Sequence, residues 1–73
     1  LAITRKIRDR RGESNALGNL GKTYALLGEP RKAITFLEQQ LAIAREIGFS
    51  RGEGNALGNL GNVYAALGET RKA

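Results

Sequence analysis

The chain has no cysteine and no histidine, and a single proline. Without cysteine there are no disulfides and no thiolate nucleophile, and without either residue the usual soft metal ligands are missing. No cofactor and no metal ion are therefore expected. Long apolar runs are also absent: none approaches the roughly 18 residues of a membrane span, and the N-terminus lacks the charged, apolar and cleavable order of a secretory leader. The expectation is a soluble chain, located in the cytoplasm, whose lack of cysteine suits a reducing compartment. At 73 residues it is small, and chains below about 70–80 residues usually need a disulfide, a metal or a protein partner to complete a core. With the first two excluded, association with more protein is the expected route.

What is present is repetition. Displaced by 40 positions, residues 1–33 align with 41–73, and 23 of the 33 pairs are identical. The run SNALGNLGKTYALLGEPRKA at 14–33 returns as GNALGNLGNVYAALGETRKA at 54–73, and LAITRKI at 1–7 returns as LAIAREI at 41–47. Within one unit, Leu17, Leu20, Tyr24 and Leu27 make the apolar stripe of an amphipathic helix, the A helix. Gly28 suits its left-handed end and Pro30 the first turn of a second, B helix. The B stripe is Ala33, Ile34, Leu37, Leu41, Ala44 and Ile47, closed by Gly48, with a short loop through Ser50 and Gly52 to the next A helix.

The predicted organisation is all-α. Residues 1–11 are the end of a B helix and a loop, 12–51 one complete helix pair, and 52–73 an A helix with the first residues of another B helix. Gly18 and Gly21 each cost about 1 kcal/mol in a helix interior relative to Ala, so packing must stabilise the A helix. Gly21 and Gly61 are the expected points of close helix approach. Leu1 falls inside a B helix and Ala73 near the start of one, so a section of a longer array is expected, with Leu57, Leu60 and Tyr64 open to swapped or stacked oligomers.

Leu17, Leu20-Gly21, Tyr24, Gly28, Ala33 and Leu37, and again Leu57, Leu60-Gly61, Tyr64, Gly68 and Ala73, resemble the tetratricopeptide repeat signature. Leu17 stands where a Trp is common. The longer unit, with its ALGNLG core and LAIAREIG tail, is similar to the Leu-Gly-Asn subtype found in Pins-like polarity adaptors and in many bacterial repeat proteins. Gln40, where the shorter consensus prefers Ala, fits the extended B helix of that longer unit. The resemblance implies antiparallel helix pairs stacked as a right-handed α-solenoid. It also implies a non-enzymatic scaffold that binds a partner peptide on the concave wall of successive A helices. By position that wall is Asn15, Asn19, Lys22 and Leu26, followed by Asn55, Asn59, Asn62 and Ala66.

The spacing of four, three and four residues places those positions on one side of the helix, beside the apolar stripe. Asn both donates and accepts, so an Asn ladder suits a peptide main chain, which offers N–H and C=O in alternation. Solvated surface Asn is the plainer alternative, but Asn is an indifferent helix former and a better surface choice was available. Lys22 and the net charge of +5 favour an acidic ligand.

Other motifs dissolve on inspection. Gly21-Lys22-Thr23 ends like a phosphate-binding loop, but Ala16 stands where that motif needs glycine and no strand precedes it. Gly18-Asn19-Leu20-Gly21 has the spacing of an RNA-clamping loop without its strands. Arg5, Lys6, Arg8, Arg10 and Arg11 form a basic cluster that could bind phosphate backbones, and nucleic acid is the less favoured partner. A solvated helix end, with cations placed on the C-terminal dipole, accounts for the cluster without a ligand. Phe49 is either a partner contact or a lid on a neighbouring helix. The carboxylates offer no pair suited to acid–base catalysis. Self-association through uncapped ends is the alternative to peptide binding.

Overall fold

A computed structural model of the chain describes residues 2–68. Three helices follow one another, α1 (Ala2–Leu26), α2 (Pro30–Ile47) and α3 (Ser50–Ala66), and no strand occurs among the described residues. Two- and three-residue turns fold α2 back on α1 and α3 back on α2, so α1 and α3 flank the same helix. Each turn is set by a glycine: Gly28 and Gly48 have φ of 81° and 69°, the left-handed region that costs glycine nothing. Around Gly48 the N–H groups of Gly48 and Phe49 donate to the carbonyls of Arg45 and Ala44, and Gly28 and Glu29 do the same to Ala25 and Tyr24. These bonds occupy carbonyls that a helix end leaves without partners. Pro30 opens α2 as the sequence suggested.

The loop expected within residues 1–11 does not form, since α1 runs unbroken from Ala2 to Leu26 across the anticipated boundary at residue 12. The reason is one residue. Arg8 occupies the position of Gly48, and a side chain there makes the left-handed turn costly, while the right-handed helix is not. The cation–dipole account of the basic cluster fails with it, because Arg8–Arg11 lie inside a helix and not at its C-terminal end. Likewise α3 begins at Ser50, so the second turn is only Gly48 and Phe49, and Gly52 is already helical.

The core lies along α2. Ala33, Leu37 and Ala44 are fully buried there, with Ile43 beside them; Leu60 and Val63 of α3 join Ala33 and Leu37, and Tyr24, Ile34, Leu41 and Leu67 pack around this cluster. Tyr24 stacks on Phe36 at 5.4 Å and 7°, with the Lys32 ammonium 5.4 Å from the Tyr24 ring.

The face by which α1 meets α2 is not its leucine stripe. Ser14, Gly18 and Gly21 are buried, whereas Leu20 is 42 % and Leu27 67 % exposed. The absence of side chains at Gly21 lets the backbones close: a Cβ there would stand 2.6 Å from Leu37 Cγ and 3.3 Å from the Ala33 carbonyl oxygen. At Gly61 no described residue lies within 4 Å of the Cβ position, and Ala73, the counterpart of Ala33 in the contact expected there, falls outside the described residues. α3 meets α2 through Leu60 and Val63, and Gly52 and Ala56 are buried on the same side. Leu57 and Tyr64 are open as expected, but Leu60 is covered by α2.

Ion pairs tie the helices at one end of the molecule. Arg10 bonds Glu13 at 2.9 Å within α1 and also reaches Glu46 of α2, and Arg45 of α2 bonds Glu53 of α3 at 3.1 Å. Arg10 has its pKa raised above the ordinary guanidinium value, first by the hydrogen bond to Glu46 and then by the charges of Glu46 and Glu13.

Candidate functional site

All eight wall positions line one groove. Asn15, Asn19, Lys22, Asn55 and Asn59, with Gly18 and Gln40, border a cavity of about 430 Å³ between α1 and α3. A second of about 220 Å³ shares Lys22 and Asn59 with it and adds Leu26, Asn62 and Val63. A third of about 290 Å³ shares Ala25, Asn62 and Val63 with the second and reaches Ala66. Shared linings make these a continuous trough, with α1 and α3 as banks and α2 as its bed.

The trough has two ends of different chemistry. Toward the N-terminal ends of α1 and α3 it is lined by carboxamides, four from Asn and one from Gln40, together with Lys22. Farther along it becomes apolar, with Ala25, Leu26, Leu37, Val63, Pro30 and Ala66. Leu26 is 88 % exposed, an unusual position for a large apolar side chain with no partner of its own fold. Lys22 is the one charged residue lining this trough among the described residues, so the formal charge on its lining is positive.

The family resemblance implied the banks but not the bed. Gln40 is 2 % exposed and lies beneath the Asn residues, contributed by α2. The signal was the adjacency of a bulky polar residue at a buried B-helix position and a glycine at residue 18, two departures that compensate each other in space.

Two residues of the basic cluster, Arg10 and Arg11, are engaged within the fold. Arg10 holds Glu13 and Glu46, and the Arg11 guanidinium sits 5.1 Å from the centre of the Phe49 ring. Arg5 and Lys6 have side chains outside the described ones. Phe49 resolves as a lid: its ring edge would be 2.7 Å from a Cβ at Gly52, and Ser14 Oγ of α1 would be 3.1 Å from the same position. No group of three or more carboxylates that could hold a metal ion occurs among the described residues, and no helix of theirs is long and apolar enough to cross a membrane.

No curated protein and no solved structure matches the chain. A sequence model of the tetratricopeptide repeat matches residues 12–73, the two segments whose 40-residue correspondence gives the fold its paired A helices. The chain belongs to the tetratricopeptide repeat family, whose members generally mediate protein–protein interactions and are typically non-enzymatic.

Proposed function

We propose that the chain is a non-enzymatic scaffold of the Leu-Gly-Asn subtype that binds an extended segment of a partner protein along the trough between α1 and α3. The carrying observation is that the eight positions implied by the family resemblance all line a single continuous depression. Its polar half suits a peptide main chain, since carboxamides donate and accept in turn. Its apolar half, with Leu26, suits one or two apolar side chains from the same segment, and Lys22 favours acidic residues near the middle. Stacking of further repeats as a right-handed solenoid, in the cytoplasm, completes the reading.

The test is calorimetry with a peptide selected against the chain. Changing Asn19 and Asn59 together to Ala weakens that peptide tenfold or more; unchanged affinity removes the trough as the binding surface. Self-association is the second reading, favoured by the exposure of Leu20, Leu57 and Tyr64 at 42 %, 47 % and 37 %. Light scattering that finds only monomer over a wide concentration range excludes it.

A further inference from the structure

The bed of the trough contains a group that a main-chain ladder does not require. Gln40 is 2 % exposed and its Oε1 has neither solvent nor a hydrogen-bond partner. Its carboxamide lies flat over Gly18, where a Cβ would stand 2.6 Å from Nε2, 2.8 Å from Cδ and 2.8 Å from Oε1. Near-equal distances to three atoms mean that the amide plane occupies the place of a methyl group. Glycine at 18 thus makes a cradle for this side chain. A buried carboxamide with an unpaired oxygen is costly, and an apolar residue would fill the space without that cost.

We propose that Gln40 is the base of a subsite that reads a primary carboxamide, the side chain of a Gln or Asn in the bound segment. The inference rests on the trough being the binding surface. The banks are exposed and the bed is not, so a peptide main chain runs along the Asn residues and only a side chain descends to Gln40. A ligand carboxamide presents a donor and an acceptor on one edge, matching the N–H and the oxygen of Gln40. The terminal torsion of Gln is broad, so the amide edge can turn toward an entering group by rotation about that one bond. A carboxylate there pairs with Nε2 alone and sets oxygen against oxygen. An ammonium pairs with Oε1 alone and adds a cation near Lys22. An apolar group leaves both polar atoms unpaired. Sites built on such pairing reject the analogue that lacks it, because their own buried groups are stranded. Acidic residues then belong at the bank, by Lys22, and the carboxamide at the bed.

The probe is a displayed library of random 12-residue peptides, panned on the whole chain, with the tightest binder remade synthetically for calorimetry. Selected peptides carry Gln or Asn at one fixed position, and its change to Glu or Asp weakens binding to the native chain at least about tenfold. Gln40→Leu binds the two peptides alike. Gly18→Ala, whose methyl displaces the amide, does the same while circular dichroism reports an intact helical fold. Binders that depend on Asn19 and Asn59 but carry no carboxamide, or an acidic residue in its place, overturn the subsite and leave the trough standing. So does a Gln-over-Glu preference that survives Gln40→Leu. Binders indifferent to Asn19 and Asn59, or a library that yields none, overturn the trough and the subsite with it.

Discussion

Gly21 and Gly61 hold the same place in the two copies, and the structure gives them opposite responses to one added methyl group. A Cβ at Gly21 would lie 2.6 Å from Leu37 Cγ and 2.7 Å from its Cδ2, and Leu37 is wholly buried, so neither partner has room to retreat. Overpacking of this kind costs about 1–3 kcal/mol. The helix propensity gained on replacing glycine by alanine returns about 1 kcal/mol. The balance for Gly21→Ala is a loss of up to about 2 kcal/mol, set by the overpacking and propensity terms together. At Gly61 nothing among the described residues stands within 4 Å of the new methyl, and against them only the propensity gain applies. In a domain of this size 1 kcal/mol moves the melting midpoint by about 4–8 °C. Gly61→Ala therefore melts higher than the parent and Gly21→Ala lower, in thermal and urea unfolding followed at 222 nm, with the urea slope unchanged. Equal destabilisation by both changes would refute the reasoning, because it would mean that Gly61 is packed as tightly as Gly21. Stabilisation by Gly21→Ala would refute the close approach at Leu37.

Gly48→Ala places a side chain at φ 69° and destabilises by about 1–2 kcal/mol, read as a lower urea midpoint. Phe49→Ala uncovers Gly52 and removes the ring beneath Arg11, costing about 1–2 kcal/mol in the same assay for a half-buried aromatic. Lys22→Asn, which gives α1 the residue of α3, lowers affinity for an acidic peptide and flattens its dependence on salt in calorimetry, while a neutral peptide is unaffected. The melting midpoint is level between about pH 6 and 8, since the chain has no histidine to titrate there. Arg10 adds no slope: a pKa raised above its unfolded value gives stability that is complete below that value and lost only at higher pH, beyond the guanidinium range.

The turns at Gly28 and Gly48 were legible because glycine and proline punctuate by backbone chemistry that no neighbour needs to supply. The start of α1 was not, because the repeat invited the same loop in both copies. Identity on either side concealed that Arg8 had replaced the residue making the turn. The burial of α1 was misjudged for a related reason. Periodicity marks where the large apolar side chains lie and so found Tyr24, which packs on Phe36, but the backbones of α1 and α2 come closest at Gly18 and Gly21, of which only Gly21 was expected. The Asn banks came from the family resemblance, and the spacing of four, three and four agreed by putting them on one side of the helix. Gln40 could not be read in this way, since its role appears only when α2 is laid beneath α1 and its amide is found over Gly18.

These contacts give the A helix three working sides. In α1 the side of Ser14, Gly18 and Gly21 is buried, with Gly18 and Gly21 against α2, and its counterparts Gly54, Gly58 and Gly61 in α3 are exposed. In α3 the side of Gly52, Ala56, Leu60 and Val63 is buried, with Leu60 and Val63 against α2 and Gly52 beside Ser14 of α1, and its counterparts Gly12, Ala16, Leu20 and Thr23 in α1 are exposed. At about 100° per residue the two sides are nearly opposite, and the Asn side falls between them. One sequence therefore carries both halves of a contact that α2 makes with its two neighbours, and small residues on both halves let the backbones come close. The Asn positions are turned toward the trough because α1 is held by one of these sides and α3 by the other. That explains how a helix rich in glycine, a poor helix by propensity, can hold a binding side in fixed orientation: its rigidity comes from α2, and the trough inherits it.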